Sequence, residues 1–149
     1  MTRALDLRAL NQIVEVRRVQ VAATEMRFWE ARRVLAELNA KHDACCVLIS
    51  QMQAGWLAAV SSGSVQLAAA RAYGVRIEGL FADLSELDRE IAGAEKHRNE
   101  LATELGLCQA RRKASEEFER KSIRREARRS EEAWVTETSE RHATRVFMS

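Results

Sequence analysis

The feature that most limits what this chain can fold into is a heptad repeat of mainly apolar residues in its first sixty positions. From Leu7 to Trp56 these residues recur at alternating spacings of three and four, which is the a/d pattern of a coiled-coil helix. The chain contains no proline, so nothing in the repeat forces the helix to break. The members of this first seam are Leu7, Leu10, Val14, Arg17, Val21, Thr24, Phe28, Ala31, Leu35, Leu38, His42, Cys45, Ile49, Met52 and Trp56.

A second repeat follows a short cluster of turn-forming residues, Ser61-Ser62-Gly63-Ser64. Its members are Ala70, Tyr73, Ile77, Leu80, Leu84, Leu87, Ile91, Ala94, Arg98, Leu101, Leu105 and Cys108, and beyond Cys108 the apolar stripe fades. Two amphipathic helices joined by a short turn pack antiparallel. With the turn centred between Ser62 and Gly63, opposed residue numbers should add to about 125.

The predicted fold is therefore all-α, a long two-helix antiparallel coiled-coil hairpin with a charged C-terminal helical overhang. Residues 1–149 form a single domain, with helix 1 at about 3–60, a turn at about 61–64, helix 2 at about 65–135 and a frayed C-terminus at about 136–149.

The C-terminal part of helix 2 is dense in charge. Residues 111–132 contain 15 charged side chains in 22, nine of them basic. The basic residues repeat at nearly helical spacing and form either a solvated helix face or a stripe that docks a protein; they are Arg120, Lys121, Arg124, Arg125, Arg128 and Arg129. Interleaved glutamates weaken the positive field that nucleic acid would need, so we expect no nucleic-acid partner.

The stretch around the turn has the opposite character. From Ala44 to Ala70 there are 27 consecutive residues without a charge, in a chain that is 31% charged. Its apolar part, 44–60, is shorter than the roughly 20 residues of a membrane span, so we expect no stable membrane insertion. Several apolar residues there lie off the seam and predict a contact site. The predicted tip partner-binding residues are these off-seam residues together with the seam member Trp56, namely Leu48, Trp56, Leu57, Val60, Val65 and Leu67.

No motif in the chain predicts catalysis, a cofactor or a metal centre. His42 and Cys46 share a helix face, and the predicted register places Asp83 near them as a conceivable third ligand. A closed zinc site needs four ligands, so the favoured interpretation of His42 is a polar interruption that fixes register. The three cysteines include the adjacent Cys45 and Cys46, which cannot bridge each other, and this usage is typical of the reducing cytoplasm.

The closing segment offers a resemblance to a known family. It reads Glu117-Phe118-Glu119-Arg120-Lys121, followed by Arg124-Arg125-Glu126-Ala127-Arg128-Arg129-Ser130-Glu131-Glu132-Ala133-Trp134. With the hairpin pattern and the absence of proline, it resembles the FliJ/YscO (SctO) family, the central stalk proteins of flagellar and virulence type III secretion systems. The charge-free tip departs from the charged middle of many members.

The resemblance implies a cytoplasmic, non-enzymatic protein at the cytoplasmic face of the secretion apparatus. Its partners would be the hexameric secretion ATPase and the export gate protein, with secretion chaperones as further candidates. The ATPase-docking surface would comprise Arg3, Arg8, Arg120, Arg124 and Arg125. Two alternatives remain: a generic coiled-coil scaffold, adaptor or homodimer, and an amphipathic protein on a membrane surface.

Overall fold

The chain folds into two long helices that pack against each other as an antiparallel hairpin. The structure, a computed structural model, describes the backbone of residues 2–62 and 66–147 and the side chains of residues 7–62 and 66–143. Helix α1 spans Thr2–Ser61, 60 residues, and helix α2 spans Leu67–Phe147, 81 residues. The predicted all-α hairpin is confirmed.

The heptad repeat of α1 is its packing face. Every member of the predicted seam except Trp56 is buried or half-buried, and Val14 and Val21 are among the most buried residues of the chain. Thr24 also lies in this seam; its hydroxyl donates to the Gln20 carbonyl at 2.9 Å. Because that bond is made within the helix, the seam accommodates a polar residue without leaving its hydroxyl unsatisfied.

The seam of α2 is confirmed in the same way and extends beyond its predicted end. All the predicted members from Ala70 to Cys108 are buried or half-buried. The three-and-four spacing then continues through half-buried polar residues, namely Arg112, Ser115, Glu119, Ser122 and Glu126. The stripe therefore changes from apolar to polar after Cys108, whereas the packing itself continues.

The connection between the helices is longer than the predicted turn at 61–64. Helix α1 ends at Ser61 and α2 begins at Leu67, with Gly63, Ser64 and Val65 outside the described residues. The amide of Gln66 donates to the Ala59 carbonyl at 3.3 Å, and the Gln66 carbonyl accepts the amide of Ala70 at 2.9 Å. Gln66 thus joins the end of α1 to the first turn of α2.

The contacts between the helices match the predicted register only in part. Ala59–Gln66 and Cys45–Leu80 add to the predicted 125, whereas the ion pairs His42–Asp88 and Arg27–Glu104 add to 130 and 131. Asp83, predicted beside His42, is therefore replaced there by Asp88. For these ion pairs the offset is five to six residues, about one and a half helical turns, and the predicted stripe of α2 is still the one in the interface.

The C-terminal boundary of α2 also differs from the prediction. The segment predicted to fray from about residue 136 is helical as far as Phe147. The side chains of α2 from Ala127 to Glu137 are all exposed. Thr136, Thr138 and Ser139 each donate their hydroxyl to the carbonyl four residues earlier, so these residues satisfy their hydroxyls inside the helix.

The contacts between the helices group into two compact units. The turn unit comprises Glu25–Glu104, and its core is a cluster of Cys45, Ile49 and Leu80. Met52, Leu84 and Leu87 pack against this cluster. The terminal unit comprises Met1–Thr24 and Leu105–Ser149.

Candidate partner-binding surfaces

The predicted tip residues form an exposed apolar surface on the turn unit. Leu48, Trp56, Leu57 and Val60 on α1 and Leu67 on α2 are all exposed, and Val65 lies outside the described residues. Val47 is exposed beside Leu48 and was not among the predicted residues. We call Leu48, Trp56, Leu57, Val60 and Leu67 the tip surface.

The position of Trp56 has a structural cause. It was predicted both as a seam member and as a tip partner-binding residue; with 41% exposure it is not part of the buried seam, and its binding role stays a prediction. One residue earlier, the ring of Tyr73 packs against Gly55, where an added Cβ would lie 2.7 Å from the ring carbon Cζ. Tyr73 therefore fills the interface beside Gly55, and the indole is left at the surface.

The predicted ATPase-docking residues lie on the terminal unit. Arg8, Arg120, Arg124 and Arg125 are exposed, whereas the side chain of Arg3 lies outside the described residues. Among the described side chains, no salt bridge engages these four arginines. Their guanidinium groups are available to carboxylates of another protein.

The terminal unit also contains an apolar groove that the sequence interpretation missed. Leu7, Leu10 and Ile13 of α1 and Phe118 of α2 line it, and Arg125 borders it; its volume is about 450 Å³. Phe118 was predicted only as part of a charged segment, although the predicted sum of about 125 already placed it opposite Leu7. Apolar walls with a cation at the border suit a partner side chain that is itself amphipathic.

A second missed feature is an exposed pair of large residues on α1 of the turn unit. Met26 and Trp29 occupy outward positions of the heptad repeat and are largely exposed. The guanidinium carbon of Arg32 lies 4.9 Å from the Trp29 ring centroid, a cation–π distance. The sequence already contains the signal for this pair, because both residues are large and apolar and neither falls at a seam position of the heptad repeat.

His42 is the polar member of the seam whose surroundings are best defined. Its Nε2 lies 3.2 Å from Asp88 Oδ1, its Nδ1 lies 3.8 Å from Cys46 Sγ, and Asp43 Oδ1 is 3.7 Å from Nδ1. The predicted cross-helix role of His42 thus involves Asp88 instead of Asp83. Within the described residues, no group of three or more His, Cys, Asp or Glu side chains is arranged to hold a metal ion.

Helix α1 also passes a length-and-composition test for a membrane span. Within Leu7–Ser61 an 18-residue window has a mean hydropathy of 1.4, and 17% of that window is buried. Core helices of proteins without a membrane segment meet the same criterion, so the window by itself assigns no location.

Comparisons with known proteins identify no relative of this chain. A scan against protein-family models, a search of curated proteins and a search of solved structures each returned no match.

Proposed function

We propose that this protein is the central stalk component of a type III secretion system, injectisome or flagellar. In this role it docks into the hexameric secretion ATPase and links the ATPase to the export gate. The observation that carries the proposal is that the two units expose different chemistry. Arginines that form no salt bridge among the described side chains lie on the unit that contains both termini, and uncharged apolar residues lie on the unit that contains the turn.

The terminal unit supports docking into an ATPase ring through charge. Arg120, Arg124 and Arg125 form no salt bridge among the described side chains and are exposed on one segment of α2. Exposed arginines recognise carboxylates with two parallel hydrogen bonds, and complementary charge also speeds association. The adjoining groove of Leu7, Leu10 and Ile13 adds apolar contact that a purely solvated helix face would not offer.

The tip surface supports a second partner of different chemistry. It has no charged residue within 44–70, and its members include one tryptophan and three leucines. Tryptophan is enriched among the residues that dominate binding energy, and an apolar patch on a water-exposed hairpin marks a contact site. The export gate protein is the proposed partner, and secretion chaperones are the second candidate for the same surface.

The test of the docking half is a pull-down with a hexameric secretion ATPase, combined with its ATP hydrolysis rate with and without this protein. Replacing Arg120, Arg124 and Arg125 by Gln should weaken binding at least tenfold. The matched control replaces Arg71, Arg76 and Arg89 by Gln, because these are also exposed arginines of α2. Equal binding by the two triple variants, or intact binding after truncation behind Arg112, contradicts the docking surface.

The test of the tip uses a second matched pair of variants. Trp56→Ser with Val60→Ser should abolish export-gate binding and leave ATPase binding unchanged. The control is Trp29→Ser with Val34→Ser, which removes the same residue types from another exposed part of α1. Loss of gate binding in both variants, or loss of helicity in the first, contradicts the assignment of the tip as a gate-binding surface.

Two measurements separate the stalk from its alternatives. Light scattering gives the mass in solution, and a stable dimer that buries the tip surface would favour a homodimeric scaffold. Co-sedimentation with anionic liposomes at physiological salt tests a membrane-surface role, which the apolar window of α1 makes worth measuring. The stalk proposal expects a monomer that stays in the supernatant.

A further inference from the structure

In the turn unit the imidazole of His42 lies between the thiol of Cys46 and the carboxylate of Asp88. Cys46 Sγ lies 3.8 Å from His42 Nδ1, and the other ring nitrogen, Nε2, lies 3.2 Å from Asp88 Oδ1. The i, i+4 spacing on α1 supplies the first pair, and antiparallel packing brings Asp88 from α2. Cys46 and His42 are both half-buried, so the group is held in place and still reachable.

We propose that Cys46 is a nucleophilic thiol activated by His42, and that it forms reversible mixed disulfides with small disulfides such as oxidised glutathione. This inference is independent of the proposed stalk function. It assigns a modification site to residues that neither the tip surface nor the docking arginines use.

The geometry gives each residue a defined role. When His42 donates its Nε2–H to Asp88, the lone pair of Nδ1 faces the Cys46 thiol and can accept its proton. Asp43 Oδ1, 3.7 Å from Nδ1, adds a second carboxylate beside the ring. Asp43 and Asp88 are the charged groups within 4 Å of the His42 ring in the described part of the chain, and Asp88 orients the ring through its contact with Nε2. A base oriented by a third group is the arrangement that activates a nucleophile.

The exchange step balances without a further oxidant. His42 takes the proton from Cys46, and the sulfur attacks one sulfur of the glutathione disulfide. A bond forms between Cys46 Sγ and that sulfur while the disulfide bond of glutathione breaks. The departing glutathione thiolate takes up the proton, so one disulfide is exchanged for another and a second thiol can reverse the step.

The other two cysteines provide controls within the same molecule. Cys45 is buried, and its thiol donates to the Leu80 carbonyl at 3.5 Å. Cys108 is half-buried like Cys46, but its recorded polar neighbour is the Thr24 hydroxyl at 3.9 Å. A hydroxyl at that distance does not act as a base. Comparing Cys46 with Cys108 therefore isolates the effect of the imidazole at similar burial.

The experiment treats the full-length protein with oxidised glutathione and follows each cysteine by peptide mass mapping between pH 5.5 and 9. At pH 7 we expect Cys46 to react about tenfold faster than Cys108, and Cys45 to react slowest. In the His42→Gln variant the reaction rate of Cys46 should fall to that of Cys108, and the pH dependence of the Cys46 rate should match that of Cys108. Asp88→Asn should give an intermediate rate.

Local unfolding is monitored in the same samples. If a variant opens the hairpin, Cys45 becomes reactive, and the Cys46-to-Cys108 ratio is then measured at lower temperature where Cys45 is again protected. Equal rates for Cys46 and Cys108 in the unsubstituted protein overturn the proposal. A rate excess that persists in His42→Gln with Cys45 protected also overturns it, because the activation would then not come from the imidazole.

Discussion

The turn unit and the terminal unit use the same heptad spacing and fill it with different side chains. On α2 the turn unit presents mainly leucine and isoleucine to the interface, with Leu80 and Leu101 each only 4% exposed. In the terminal unit the same spacing carries Ser115, Glu119 and Ser122, which are half-buried. One repeat can therefore specify pairing along the whole hairpin while apolar burial, which stabilises it, is concentrated in the turn unit.

The difference bears on how each unit can bind. Segments with few buried apolar contacts open at lower free energy than a packed core. In the terminal unit the α2 side of the seam is polar beyond Cys108, so this part can rearrange when it meets a partner, whereas the turn unit holds its tip residues on a more stable support. The following substitutions test the contrast, from the largest expected effect to the smallest.

Replacing one leucine in each unit should give unequal losses of stability. Leu80→Ala removes a side chain from the core cluster with Cys45 and Ile49 and should lower the free energy of unfolding by about 3 kcal/mol. Leu105→Ala removes a half-buried leucine and should cost about 1 kcal/mol. Urea unfolding followed by circular dichroism measures both, and equal losses would contradict the contrast between the units.

Replacing one glycine in each unit should give effects of opposite sign. Gly55→Ala places a Cβ 2.7 Å from the Tyr73 ring and should cost about 1 kcal/mol, because the end of the tyrosine side chain must shift. Gly106→Ala meets nothing within 4 Å and should stabilise the helix by up to about 1 kcal/mol. Thermal unfolding of the two variants provides the comparison, and a stabilising Gly55→Ala would show that Tyr73 does not require this close approach.

Making the polar seam apolar should strengthen the terminal unit alone. Ser115→Leu with Ser122→Leu should raise stability by about 1.5 kcal/mol, since each half-buried leucine contributes roughly 0.8 kcal/mol. The Ser115 hydroxyl donates only to the Arg111 carbonyl within its own helix, so its loss leaves no interhelical partner unpaired. Hydrogen exchange should slow across 105–126 and remain unchanged across 70–101; uniform slowing would mean that the two units unfold together.

The smallest effects should come from the ion pairs that join the helices in each unit. Arg27 meets Glu104 at 2.6 Å in the turn unit, and Arg18 meets Glu116 at 3.5 Å in the terminal unit. Both arginines are exposed, so double-mutant cycles should give coupling of at most about 0.5 kcal/mol, larger for the shorter pair. A coupling energy that exceeds this value, or that persists in 1 M salt, would show that these ion pairs contribute more to stability than exposed pairs usually do.

A heptad pattern encodes which face of a helix is buried, and this is the part of the fold that the sequence predicted. The spacing of the two seams identified the buried face of α1, which includes Val14, and that of α2, which includes Leu101. It did not determine the register, because sliding α2 by about one turn keeps the same stripe in contact. The bond from Gln66 back to Ala59 lies just beyond the recognised serine cluster, so the sequence pattern did not predict it.

The surfaces were predictable only where composition changed abruptly. The absence of charge between Ala44 and Ala70 indicated the tip, and its described members are exposed. The polar seam from Arg112 to Glu126 was missed because serine and glutamate at seam positions look like solvent-facing residues until α1 is placed opposite them. Met26 and Trp29 lie outside the predicted seam and were missed because apolar residues at outward positions were considered only within the charge-free stretch.

The hydrogen bond that closes the turn has a consequence for how the chain folds. Gln66 and Ala59 are seven residues apart, whereas Arg18 and Glu116 are 98 apart. Loop-closure entropy grows with the logarithm of length, so forming the short loop first avoids about 2 kcal/mol of initial cost. We expect pairing to start beside the turn and to advance one heptad at a time. During synthesis the whole of α1 is made before α2 begins, so the residues made first must wait longest for their partner.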